Sequence, residues 1–188
     1  APLAEALAGQ AAQTLVTLRL QKRLAHAAMH DETTGLPNRR LLEERMREQV
    51  VGERHGRAVI FLDLDGFKAV NDVYGHPVGD EVLREVGRRL QAVVREGDIV
   101  ARYGGDEFVV VCGIAGSGDA SDIAERLRES VRRPYDFLPE GVVVGASVGV
   151  ALAPVDGGAL DGLIRAADQA MYVAKSGGGD RVVDFGAA

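Results

Sequence analysis

The chain has 188 residues, 46% of them hydrophobic, which suits one globular domain plus an appendage. Its formal net charge of −6 excludes a surface that attracts nucleic acid as a whole. The single cysteine, Cys112, excludes an internal disulfide framework, fits a reducing compartment, and ends an apolar run as a small buried hydrophobe would. No apolar run approaches the roughly 18 residues that span a bilayer, and no signal peptide is visible. Ala1 stands where a methionine would begin a full chain, so the expectation is a cytoplasmic fragment or processed form whose longer parent could be membrane-attached.

Leu3, Leu7, Ala11, Leu15 and Leu18, then Leu24, Ala25 and Ala28, recur at helical spacing, and neither Gly nor Pro occurs from 10 to 34. Two readings stand for residues 1–30. One is a helix packed on its own domain. The other is a coiled-coil-like stalk carrying a signal from an upstream sensor, with Lys22 interrupting the seam. A second unit covers 31–188. Pro37-Asn38 starts a helix over about 39–52, with Leu41, Leu42 and Met46 on one face. Ala58 to Leu62 is a continuous apolar run, the pattern of a strand buried on both faces, over about 57–64. It ends in Asp63-Leu64-Asp65, and strand alternation points both carboxylates to one face. Gly66 to Asn71 is a short helical turn.

Asp80 to Arg95 is amphipathic, with Val82, Leu83, Val86, Leu90 and Val93 on one stripe. Residues 98–112 read as two apolar strands joined by a Gly104-Gly105 turn, with Asp106 and Glu107 directly after it. Gly113 to Gly118 is a loop and Asp119 to Arg132 a helix. Val142 to Ala151 is a strand, Ala159 to Lys175 a helix, and Arg181 to Phe185 a last short strand. The order β-α-β-β-α-β predicts an α/β (α+β) fold, a ferredoxin-like, antiparallel-centred sheet with flanking helices.

Stability alone gives no reason to crowd two acids beside a hairpin tip. If the two strand ends lie side by side, three or four acids meet, which is unfavourable unless a cation neutralises them. The donors on offer are all oxygens, which suits Mg²⁺ or Mn²⁺ and not zinc. The bland alternative is a solvated acidic edge. An EF-hand beginning at Asp63 fails, because its sixth position is Lys68 instead of Gly and its twelfth is Tyr74 instead of Glu. No GxxxxGK or GxGxxG phosphate loop occurs. Gly66 and Phe67 open a helical turn whose backbone amides can hold phosphate oxygens. Lys68 supplies a compact charge for the same phosphates, or is a surface lysine. Lysine is scarce, 3 against 19 arginines, so Lys68 and Lys175 stand out. Lys175 ends a helix, where a cation also suits the helix dipole.

Gly104-Gly105-Asp106-Glu107-Phe108 resembles, letter for letter, the signature of GGDEF domains, the diguanylate cyclases. Phe61 to Lys68, followed by Asn71-Asp72, is similar to their first metal-and-phosphate segment. Asp31 to Arg40, ending Thr34-Gly35-Leu36-Pro37-Asn38-Arg39-Arg40, looks like their opening motif. The resemblance covers roughly residues 30 to 185. It implies a fold like the palm of nucleotide cyclases and polymerases. It also implies condensation of two GTP into cyclic di-GMP and two pyrophosphates across a homodimer, with two Mg²⁺ (or Mn²⁺) per site.

By the same resemblance Asp63, Asp106 and the Leu64 carbonyl bind metal, and Asp106 helps activate the attacking hydroxyl. Glu107 is a catalytic helper or orients its neighbours. Gly66, Phe67, Lys68 and Lys175 take the phosphates, and Lys68 belongs to the catalytic set with Asp106 and Glu107. Asn71, His76 and Asp80 meet the guanine. A carboxylate at Asp80 accepts from guanine N1–H and the exocyclic amine, a donor pair adenine lacks. Read alone, Asn71 and Asp80 are helix caps and His76 a structural loop residue.

Arg95-Glu96-Gly97-Asp98 matches the family's RxxD product-inhibition motif, with Arg126 as a second guanidinium. Read alone, these are a helix-end Arg and a turn Asp. The chain departs from the family at its end, where Ala174-Lys175 leads to Gly178-Gly179-Asp180 instead of Gly-Arg-Asn. Gly179 therefore lacks the second phosphate-binding guanidinium, for which Arg181 is the candidate substitute. Two readings from other classes remain: a cyclic di-GMP receptor acting through Arg95 and Asp98, and a regulatory GTP-binding domain.

Overall fold

A computed structural model describes residues 10, 13–20, 26–48, 56–114, 117–153 and 160–186. Residues 13–20 and 26–29 are helical, and Leu15, Val16, Leu18 and Leu20 there are about half exposed. Leu3, Leu7, Ala11, Lys22, Leu24 and Ala25 of the expected long helix lie outside the described residues, as do 49–52 of the helix expected after Pro37.

The elements are α1 (Arg39–Glu48), β1 (Gly56–Asp65), α2 (Phe67–Tyr74), α3 (His76–Val93), β2 (Ile99–Gly104), β3 (Glu107–Ile114), α4 (Ser117–Arg132), β4 (Gly145–Ala153), α5 (Leu160–Ser176) and β5 (Val182–Asp184). The sheet order is β2-β3-β1-β4-β5. β1 lies at its centre, antiparallel to β3 and β4, while β5 joins β4 in parallel. This is the α+β plan expected, with β1 buried on both faces. Ala58, Ile60, Leu62 and Leu64 pack with Val82, Val86 and Leu90 of α3 and with Ala124 and Leu127 of α4. Val59 and Phe61 pack on the other face with Leu42 and Met46 of α1 and with Ala167 and Met171 of α5. Each large apolar side chain buried this way contributes about 1.5–3 kcal/mol.

Several boundaries differ from expectation: α2 runs to Tyr74, beyond the expected Asn71, α3 ends at Val93 and α4 starts at Ser117, and three further differences bear on the site. α3 begins at His76 instead of Asp80, because Gly75 and Pro77 supply the start and the Gly79 amide already donates to the Gly75 carbonyl. β4 begins at Gly145, opposite Asp65; β1 ends there, so residues 142–144 have no central strand to pair with. The hairpin turn is Gly105-Asp106, not Gly104-Gly105, since Gly104 still pairs with Glu107. Asp106 therefore sits in the turn itself. No helix among the described residues is long and apolar enough to cross a membrane.

Candidate active site

The centre of the sheet and the hairpin turn meet at one end of the molecule. Asp63 lies opposite Glu107 on one neighbouring strand and Ser147 on the other. The Leu64 amide donates to the Asp106 carbonyl at 3.2 Å. Asp63 is 6% exposed. Burial pushes its carboxyl above the usual range; the Lys175 bond opposes this, and the charges of Asp106 and Asp65 add to it. Glu107 is also pushed up, by burial first and then by Asp63, Asp168 and Asp106. The cation at hand is Lys175, brought by α5, whose Nζ donates to Asp63 Oδ1 at 2.7 Å. Asp63 in turn raises the Lys175 ammonium.

Among the described residues no three His, Cys, Asp or Glu side chains gather closely enough to hold an ion by themselves. The expected set is two carboxylates and one carbonyl. Asp63, Asp106 and Leu64 adjoin, their donors are all oxygen, and the charge they concentrate suits a hard divalent cation. Asp65 shares the Asp63 face but is engaged elsewhere. Its carboxylate accepts from Ser147 Oγ at 3.0 and 2.9 Å and from the Asp180 amide at 2.8 Å.

Beside the turn lies a cavity of about 380 Å³. Phe67, Lys68, Asn71, His76, Asp80 and Asp106 line it, as do Leu83, Arg102 and Gly105. The cluster expected from sequence is thus gathered from α2, α3 and the hairpin. Gly66 stands at the N-terminus of α2 with no side-chain cap. Lys68 is exposed, with Asp72 at 3.6 Å. The helix-cap readings do not hold: Asp80 is the fifth residue of α3, and Asn71 lies inside α2 with its carbonyl accepting from the Gly75 amide. Gly79, buried in α3, is the residue that fits Asn71 into place. A Cβ at 79 would collide with the Asn71 amide group.

Arg102 is a site residue that sequence reasoning missed. Its Nε and Nη2 donate to the Gly105 carbonyl at 2.9 and 2.6 Å, and its Nη1 donates to both Asp31 oxygens at 2.9 and 3.0 Å. The Asp31 carboxyl, despite the upward push of burial, is held below its usual range by Thr34 and Arg102. The opening motif thus anchors the hairpin turn that carries Asp106. An acid and an arginine 71 positions apart form no local pattern, so only the fold reveals the pair.

A second, smaller cavity of about 280 Å³ lies at the end of α3, with Arg95 and Asp98 in its lining. Asp98 there accepts from the Arg95 and Gly113 amides at 2.9 and 3.3 Å. Arg126 is not in that lining; it donates to the Val93 carbonyl at 3.2 Å and so caps α3. Gly179 has a left-handed φ of 73°, and a Cβ there would stand 3.1 Å from the Asp65 carboxylate. The Arg181 guanidinium lies over Gly177 and Gly178, just past the helix end that carries Lys175.

Known proteins share this sequence pattern and this fold. The family described as "Diguanylate cyclase, GGDEF domain" matches residues 28–181. The bifunctional diguanylate cyclase/cyclic di-GMP phosphodiesterase MucR of Pseudomonas aeruginosa is 45% identical over 163 residues, 85% of this chain and 24% of MucR. The diguanylate cyclase TpbB of the same species is 42% identical over 158 residues, 81% of this chain and 36% of TpbB. The solved GGDEF domain of TpbB superposes with a TM-score of 0.76 at 37% identity, over 83% of this chain and 94% of that one. The coiled coil and GGDEF domain of DgcB from Caulobacter crescentus, in complex with c-di-GMP, gives a TM-score of 0.83 at 25% identity, over 98% and 100%. The chain spans about a quarter of the length of the first curated relatives it matches. By motif, by sheet and by kinship, this chain belongs to the GGDEF family of diguanylate cyclase domains.

Proposed function

We propose that this domain condenses two GTP into cyclic di-GMP and two pyrophosphates. The observation that supports this best is the convergence of Asp63 and Asp106 beside a cavity lined by Lys68, Asn71 and Asp80. Asp80 selects guanine by accepting from its N1–H and amine, while Asn71 and His76 complete the base contacts. Gly66 and Phe67 amides and the Lys68 ammonium hold the phosphates. Asp63, Asp106 and the Leu64 carbonyl would hold Mg²⁺ (or Mn²⁺), two ions per site; such ions supply the charge neutralisation that phosphoryl transfer needs. Were Asp63 to hold such an ion, the Lys175 ammonium that now sits on it would be free for the phosphates.

The 3′-hydroxyl of each nucleotide attacks the α-phosphorus of the other, so two phosphodiester bonds form and one pyrophosphate leaves from each nucleotide. Asp106 helps draw off the hydroxyl proton, with Glu107 assisting; the bond to the β-phosphate breaks and pyrophosphate leaves. One cavity of this size takes one nucleotide, so two copies must face each other. Residues 1–30 are the handle by which an upstream sensor of a longer parent would bring them together. Arg95 and Asp98, with Arg126, bind product and slow the enzyme.

Incubation with GTP and Mg²⁺, followed by mass analysis, tests the reading. Cyclic di-GMP is expected from the wild type, and Arg95→Ala is expected to make it with weaker product inhibition. A dimeric wild type that binds cyclic di-GMP but makes none would favour the receptor reading, which the loss of a guanidinium at Gly179 also supports.

A further inference from the structure

The turn after α5 departs from the family pattern at 179 and 180, and both departures have partners in the fold. Gly179 lies flat against the Asp65 carboxylate. Asp180 has φ 45°, a left-handed conformation that Asp and Asn tolerate better than other side chains. Two arginines of α4 grip its carboxylate. Arg128 Nη1 lies 2.8 Å from Oδ1 and Arg132 Nη1 lies 3.2 Å from Oδ2. Arg128 is 12% exposed and is itself fixed by Glu125. The main chain of Asp180 faces the other way, its amide donating to Asp65 Oδ2. Ser147 holds that same carboxylate. A continuous line therefore runs from α4 through Asp180 to Asp65, two residues from Asp63. An amide at 180 would offer the two arginines one neutral acceptor between them; the acid offers each a charged oxygen.

We infer that Asp180 and Arg128 are positioning residues of the phosphate site: paired to α4, Asp180 holds its turn so that its amide commits Asp65 and leaves Asp63 as the carboxylate open to a cation. Two like charges share one face of β1, and a free Asp65 would compete with Asp63 for Lys175 and for any ion. The same grip fixes the chain just after Lys175. Whatever guanidinium Arg181 supplies, the turn is also secured from behind. The inference rests on the cyclase reading for its turnover assay and on the cavity alone for its binding assay.

The test compares Asp180→Ala, Asp180→Asn and Arg128→Met with Arg89→Met, whose side chain braces the C-terminal end of α4 from the α3 side, through the carbonyls of Ser130, Val131, Arg133 and Pro134, without touching Asp180. For each, KM and kcat for magnesium GTP are measured with the dissociation constant of a non-reacting α,β-methylene GTP analogue and the melting temperature. Asp180→Ala and Arg128→Met should raise KM and the dissociation constant about tenfold while kcat moves far less. Asp180→Asn should recover part of the loss, because it keeps the backbone conformation and one acceptor. Arg89→Met should lose more melting temperature than either, yet bind the analogue as the wild type does. Wild-type affinity in Asp180→Ala and Arg128→Met would overturn the inference, as would an affinity loss that tracks melting temperature across all four variants. A wild type that binds the analogue without making product would sink the cyclase reading alone, and the binding comparison would still decide this one.

Discussion

Two acidic regions of this molecule are set up in opposite ways. At the sheet end, Asp63 and Glu107 are pushed up by burial and by the acids around them, and among the described residues Lys175 is the side chain that donates to Asp63. On the seam helices α3 and α4, Glu85 and Glu125 each have an arginine. Glu85 is pulled down to about 2, chiefly by Arg88 and then by Arg89. Glu125 is pulled down by Arg128. The chemistry of the side chains is the same, and the partner decides the sign. Seam acids stabilise the fold. Acids at the tip cost stability, and such a cost persists in proteins where a ligand offsets it.

Removing a tip acid should break the contrast most visibly. Asp106→Ala is expected to cut cyclic di-GMP formation on the order of a thousandfold or more. Its melting temperature should hold or rise, because one of the repelling charges is gone. An active variant, or one that unfolds early, would mean that the tip is ordinary structure. Arg89→Ala is the counterpart on the seam. The Arg89 guanidinium donates to the carbonyls of Ser130, Val131, Arg133 and Pro134 and lies 4.0 Å from the centre of the Tyr135 ring. Its side chain is 10% exposed, so its loss should cost about 3 kcal/mol, or roughly 10 °C in melting temperature, with little effect on the KM for GTP. Calorimetry beside a turnover assay separates the two outcomes.

The sheet and the tip were largely readable in the sequence because they announce themselves locally. A continuous apolar run ending in Asp63-Leu64-Asp65 specifies a central strand with acids at its end, and glycines ahead of Asp106 specify a turn. What stayed hidden was long-range pairing. Nothing near Arg102 points to Asp31, and nothing in α4 points to Asp180; these contacts exist only once β2, α4 and the last turn are packed. Gly79 was equally silent, since a missing Cβ shows its use only when Asn71 occupies the space. Asp80 looked like a cap because the pattern of apolar residues starts after it, whereas the backbone turns helical at His76.

Acid titration sharpens the contrast on the seam. The folded value of Glu85, about 2, lies below its ordinary 4.5. A depressed carboxyl supplies stability that is complete above its unfolded pKa and lost as pH falls through the folded one. Urea midpoints of the wild type should therefore exceed those of Glu85→Gln by a constant margin above about pH 5. The margin should close between pH 4.5 and about 2. A margin that stays open at low pH would remove Glu85 from the stabilising set.

The smallest effect, and the one of opposite sign, belongs to Glu107. Its folded pKa is raised above 4.5, so the folded state holds its proton more tightly than the unfolded chain does. Below pH 4.5 the carboxyl is neutral in both states and costs nothing; as pH rises through the folded value it ionises against Asp63, and stability falls. Glu107→Gln removes that fall. The variant should match the wild type at low pH and gain on it steadily above 4.5, levelling once Glu107 is fully charged. Magnesium should narrow the gain, because a cation at the tip gives the ionised acid a partner. A gain that shrinks with rising pH, or one that magnesium leaves untouched, would place Glu107 with the seam acids and dissolve the distinction between the two regions.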